Sequence, residues 1–157
     1  MTRFDKFGEF DTYEEFINEA KALFESADTQ AVRDLAKENG LDPDDAEAYI
    51  TGEETVLTDP VSYAIARVNI EKETSTVEKP VAEYMATIAR QVLAKGDNPL
   101  KTHYKDRHFK NIFEVMRKKA KDENKTYACG SDRDMEKIME AYYLDSEKAM
   151  EKVVKQL

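Results

Sequence analysis

Apolar positions recur every three or four residues in successive runs along this chain, which places them on one face of a helix, and the alternation of a half-buried strand is nearly absent. The first run is Phe16, Ile17, Ala20, Leu23 and Phe24. It follows Thr12 and Glu15 at capping-box spacing, so a helix is expected to open at Asp11 or Thr12. Asp28 or Thr29 caps a second helix with Val32, Leu35 and Ala36 inward. Asp42 caps a short third, with Pro43 at its first position and Tyr49 and Ile50 inward. Val61, Ile65 and Val68 mark a fourth; Val81, Tyr84, Met85, Ile88, Val92 and Leu93 mark a fifth, with Pro80 in or just before its first turn.

The sixth helix lies within residues 101–121 and gathers Tyr104, His108, Phe109, Ile112, Phe113, Val115, Met116 and Ala120 on one broad arc. Ser131 caps a seventh with Met135, Ile138, Met139 and Tyr142 inward, and the chain continues as a terminal helix through Ala149, Val153 and Leu157. Gly40, Gly52, Gly96 and Gly130 each follow a run, and Pro43, Pro60 and Pro99 each precede one, the punctuation expected of helices. A short extended piece is conceivable only at "KTYAC". The expected fold is all-α: a single compact domain of seven or eight short helices, with an acidic N-terminal helical part (about 1–58) and a C-terminal helical part (about 59–157).

At 157 residues one core can bury roughly 70% of the surface that the unfolded chain exposes, so neither a disulfide nor a metal is needed to fold. Cys129 is the single cysteine, which rules out an internal disulfide and suits a reducing, cytoplasmic setting. No apolar run approaches the roughly 18 residues of a membrane span, and the charged start "MTRFDKFGEFD" lacks the apolar core of a signal peptide.

Charge changes the picture more than composition does. Residues 1–60 hold five Lys or Arg against seventeen Asp or Glu, whereas residues 101–121 hold eight against two, within a chain of net charge −9. The sixth helix thus has a cationic face of Arg107, Lys110, Arg117, Lys118 and Lys121 opposite its apolar arc. Asp106, Lys110, Glu114 and Lys118 form an i,i+4 ladder of opposite charges, each pair worth a few tenths of a kcal/mol. This helix is therefore read as a packing element whose cations stay solvated or clamp the acidic end of the next helix.

Residue types that carry catalysis do not converge. His103 and His108 are five apart, about 140° around a helix, where two zinc ligands sharing a face would be four apart. His108 falls on the apolar arc and reads as a core histidine. Cys129 in "YACGSD" has no basic partner in its vicinity, and no glycine-rich phosphate loop is present. No enzyme activity, metal or cofactor is expected. "AVRDLAKENGLDPDDAEAYITG" has the cadence of a helix-turn-helix, but its second helix carries Asp44, Asp45 and Glu47, which would meet phosphates with like charge. Acids in this number can instead occupy a nucleic-acid channel on another protein, standing where phosphates would lie.

Residues 101–145 resemble the PcfK-like family of mobile-element proteins, which includes anti-CRISPR inhibitors of type II CRISPR nucleases. The resemblance is carried by Lys101, the aromatic basic helix "HFKNIFEVMRKKAK", the link "YACGSD" and "SDRDMEKIMEAYYLDSE". The chain departs from the family pattern in having His108-Phe109-Lys110 where a cysteine-aromatic step is frequent, and in having no tryptophan. The resemblance implies a non-enzymatic protein-binding inhibitor from a phage or conjugative element, its partner a type II CRISPR effector nuclease with a positively charged channel. Asp42, Asp44, Asp45, Glu47, Glu53 and Glu54 are the expected contact residues, with Tyr49 as an apolar anchor. The alternative is a nucleic-acid-binding accessory of a conjugative element, acting through the cationic face of the sixth helix.

Overall fold

Eight helices form: α1 (Tyr13–Glu25), α2 (Thr29–Glu38), α3 (Pro43–Thr51), α4 (Pro60–Thr74), α5 (Lys79–Lys95), α6 (His108–Asp122), α7 (Asp132–Leu144) and α8 (Glu147–Gln156). The structure is a computed structural model that describes residues 3–95, 108–123 and 131–157, and it holds no strand among them. His103, Tyr104, Asp106, Arg107, Cys129, the stops at Gly96 and Gly130, Pro99 and "KTYAC" lie outside the described residues.

The helix starts are local events. The side chains of Thr12, Asp28, Asp42, Asp59, Ser131 and Ser146 each accept a backbone N–H from the first turn that follows. These bonds satisfy donors that no intrahelical carbonyl can reach. At α1 the reciprocal bond of a capping box is shifted by one residue, because Glu15 accepts the N–H of Asp11 rather than that of Thr12. At α7 the box is complete, with Asp134 returning to the Ser131 N–H.

The stops differ in kind. Gly40 closes α2 in the left-handed region at φ 73°; its N–H bonds to the Lys37 carbonyl and that of Leu41 to the Ala36 carbonyl. The end of α1 has the same pair of bonds, Ala27 N–H to Phe24 and Asp28 N–H to Leu23, but the left-handed residue is Ala27 at φ 61°. A methyl group there costs about 1–2 kcal/mol that glycine would not.

Packing joins the helices into one core. α1 lies on α2 and α2 on α3; α4 packs on α5, α5 on α7, α7 on α8, and α6 reaches α8. One continuous apolar cluster runs through all of them, so the acidic N-terminal helices and the C-terminal helices share a single interior. Phe16 of α1 stacks on Tyr63 of α4, with ring centroids 4.3 Å apart and planes 16° from parallel.

Three of the expected apolar stripes need correction. α4 buries Tyr63, Ala64, Ala66, Val68 and Ile70, while Val61 and Ile65 are only half-buried. This helix has neighbours on more than one side, so a single stripe does not describe it. On α8 the buried residues are Met150 and Val154; Ala149 and Val153 sit at the margin and Leu157 is exposed. On α1, Phe24 lies 42% exposed, at the edge of the face that Phe16 and Ala20 bury.

Ala27→Gly should stabilise the protein by about 1 kcal/mol, since the strained φ is relieved at the cost of some unfolded-chain entropy. Urea denaturation at pH 7 measures this. An unchanged or lower midpoint would mean that the turn is not strained.

Candidate functional site

Two regions hold charge or polarity in unusual concentration. The first is the junction of α4, α6 and α7. Glu71 of α4 accepts the Phe109 N–H at 2.7 Å, so a carboxylate from one helix caps the start of another. Beside it His108 is buried, its Nδ1 sharing a hydrogen bond of 2.8 Å with the Tyr142 hydroxyl, to which Asn111 also donates at 3.5 Å. The Tyr142 and Tyr143 rings meet edge to face at 5.1 Å, and both lie within 5.7 Å of the imidazole. Burial, with the nearby Arg67 guanidinium adding to it, pushes the His108 pKa down to about 3. The Tyr143 hydroxyl is buried without a hydrogen-bond partner, and burial, with Glu71 and Tyr142 nearby, pushes its pKa well above the ordinary value.

His108, Tyr142 and Tyr143 are all buried at this junction. His108 is the core histidine expected of its place on the apolar arc, and its partner is a tyrosine. Sequence reasoning placed Tyr142 inward but missed Glu71, whose only signal was an acid in the last turn of α4.

The second region is the acidic corner at α3. Asp42 accepts the Asp44 N–H at 2.9 Å, and Asp59 accepts both the Ser62 N–H (2.8 Å) and its hydroxyl (2.7 Å). The starts of α3 and α4 approach one another. Partial burial raises the Asp45 pKa, and repulsion from Asp42, Asp44 and Asp59 raises it further. Asp59 itself is held below its usual range, burial opposing this and the Ser62 donors prevailing. Asp59 was not among the expected site residues, although "DP" before a helix is the signal it shares with Asp42.

Glu47 is not a free charge. Its carboxylate receives Arg33 Nε at 2.5 Å, and this bond lowers the Glu47 pKa. Glu53 and Glu54 are exposed beyond Gly52, where the Glu54 N–H turns back to the Ala48 carbonyl at 3.1 Å.

Tyr49 lies inward, as its place on the apolar side of α3 predicts, and so is not the surface anchor expected of it. It is 7% exposed and belongs to the core, because the Phe24 ring lies over it at 5.1 Å and 40°. The exposed aromatic of this corner is Phe24.

On α6, Lys110, Arg117, Lys118 and Lys121 are exposed, as the cationic face requires. Arg107 lies outside the described residues. The i,i+4 ion pair that forms is Lys119 with Glu123, at 3.5 Å, rather than one of the ladder Lys110, Glu114, Lys118. The exposed cations are solvated, one of the two roles expected of them, and a clamp is made by Lys119 instead. Lys119 Nζ donates to the Val154 carbonyl at 2.6 Å, so it holds the last turn of α8 and not the acidic end of α7.

Among the described residues no group of three or more His, Cys, Asp or Glu is arranged to hold a metal ion, and no helix is long and apolar enough to cross a membrane. No protein family, no curated protein and no solved structure matches the chain.

The buried junction makes a linkage prediction. The folded state withholds a proton that the unfolded histidine takes up below pH 6.5, so stability from this source is complete above pH 6.5 and lost as pH falls toward 3. The slope should approach about 1.4 kcal/mol per pH unit. Denaturation of wild type and His108→Gln between pH 7 and 4.5 isolates it: the two curves should converge on acidification, and parallel curves would contradict the burial. At pH 7, Tyr142→Phe should cost about 1–3 kcal/mol by leaving the imidazole nitrogen unpaired, whereas Tyr143→Phe should be neutral or stabilising.

Proposed function

We propose that the chain is a non-enzymatic protein-binding inhibitor of a mobile element, and that it sets its acidic corner against the positively charged nucleic-acid channel of a type II CRISPR nuclease. The observation that carries this reading is that Asp42 and Asp44 at the start of α3 and Glu53 and Glu54 just beyond its end are all exposed, with Asp45 half-buried between them. Carboxylates held at helix ends present negative charge as phosphates do. Such a surface competes with nucleic acid for cationic side chains and gains association rate and selectivity more than affinity. The resemblance of residues 101–145 to PcfK-like proteins supplies the class of partner.

A second reading is favoured by a separate observation. Lys110, Arg117 and Lys121 follow one another at seven and four residues along the exposed side of α6, a stripe of about 16 Å that suits contact with a phosphate backbone. On that reading the chain is a nucleic-acid-binding accessory of a conjugative element.

A cleavage assay with purified nuclease, guide and target separates the two. Lys at Asp44, Glu53 and Glu54 should abolish inhibition, and the wild-type effect should weaken as salt rises. Glu at Arg117, Lys118 and Lys121 should leave inhibition unchanged. Loss of inhibition in the α6 variant alone would assign the contact to the basic face. No inhibition by wild type across several nucleases, together with salt-dependent binding of DNA or RNA, would establish the accessory instead.

A further inference from the structure

We propose that the corner where the C-terminal ends of α1 and α3 meet, centred on the Phe24 ring, is the anchor for an arginine side chain on the partner's basic surface. This rests on the reading that the acidic half meets a basic protein surface, and it moves the point of attachment from the start of α3 to its end.

The two ends of α3 differ in what their charges already do. At the start, the carboxylates of Asp42 and Asp59 are occupied by backbone N–H groups, and the positive poles of two helices lie behind them. Part of the negative charge there is thus already engaged by the chain's own donors. At the far end the sign is reversed. The last turns of α1, α3 and α7 contain no base, whereas α2, α4, α5, α6 and α8 each carry a lysine in their last turn, and α1 and α3 are the two of these three whose ends meet through Phe24 and Tyr49. Two negative helix ends thus meet with no base in the last turn of either.

The exposed aromatic stands in this place. Phe24 is the penultimate residue of α1 and lies 42% exposed, one side of its ring backed by the buried Tyr49. A ring fixed from behind offers its open face without further loss of side-chain freedom. Glu25 lies close enough to raise the Tyr49 pKa after burial has done so, and Glu53 and Glu54 leave the last turn of α3. Ring face, carboxylates and helix C-termini all favour a cation. A planar guanidinium uses the ring and a carboxylate together, which an ammonium does less well.

The test uses the ¹⁵N-labelled full chain titrated with synthetic nona-arginine and, separately, nona-lysine. Amide shifts should concentrate at residues 23–27 and 49–54, and nona-arginine should bind about threefold more tightly than nona-lysine. Phe24→Leu, checked for unchanged circular dichroism and thermal midpoint, should weaken nona-arginine binding about threefold, and Phe24→Trp should restore it. Shifts centred on residues 42–47 and 59, equal affinity for the two peptides, or no effect of Phe24→Leu would each overturn the assignment. The wild-type map decides the matter even if a variant misfolds. Failure to inhibit any nuclease while this map holds would remove the nuclease reading and leave the arginine anchor standing.

Discussion

The stack of Tyr63 on Phe16 is the contact through which two groups of helices become one body. α1, α2 and α3 pack on one another, and α5, α7 and α8 do the same with α6 alongside. Between them stands α4. Tyr63, Arg67 and Ile70 are spaced four and three residues apart and face the N-terminal helices: Tyr63 donates to Asn39 at 3.2 Å, Arg67 pairs with Glu9 and lies over the Phe4 ring at 4.7 Å, and Ile70 reaches Gly40. Elsewhere on the same helix, Asn69 accepts from Arg90 of α5 at 2.8 Å and Glu71 caps α6. Removing the Tyr63 ring would take away a fully buried aromatic and leave the buried Asn39 short of a partner, two losses of several kcal/mol together.

The placement of charge follows from this frame. α6 can carry a cationic face because its other side is committed to the core through Phe109, Ile112 and Met116, with Glu71 and Lys119 tying its two ends to α4 and α8. The acidic corner has the opposite arrangement: its carboxylates stand at helix ends, where the backbone dipole decides whether each is already satisfied. Both faces are therefore presented by rigid elements, which limits the ordering entropy that a partner must overcome.

Much of the fold was legible because helix boundaries are written locally. Thr12, Asp28, Asp42 and Ser131 announce starts that need no tertiary information, and Gly40 and Gly52 announce stops. The end of α1 was located only by the cap that follows it, since Ala27 reads as a helix former and nothing in its chemistry signals a left-handed turn. The inner face of α4 was misread because periodicity reports one buried side and this helix has several. In the candidate site, the acids of α3 and the exposed face of α6 could be found from spacing. That Phe24 covers Tyr49, that Arg33 engages Glu47, and that Asp59 crowds Asp45 depend on how separate helices meet, which a single sequence does not display.

Gly40 and Gly52 end their helices with nearly the same backbone, φ 73° and 82°, yet they constrain the chain unequally. A Cβ at Gly52 would enter open space; at Gly40 it would come within 3.3 Å of the Ile70 side chain. Asparagine, which tolerates a left-handed φ, would therefore meet nothing at the first, whereas at the second the Ile70 side chain would have to give way by a few tenths of an ångström. Freedom to accept a side chain thus differs between two turns of the same shape, and the more crowded one lies where α2 ends against the joint that unites the molecule.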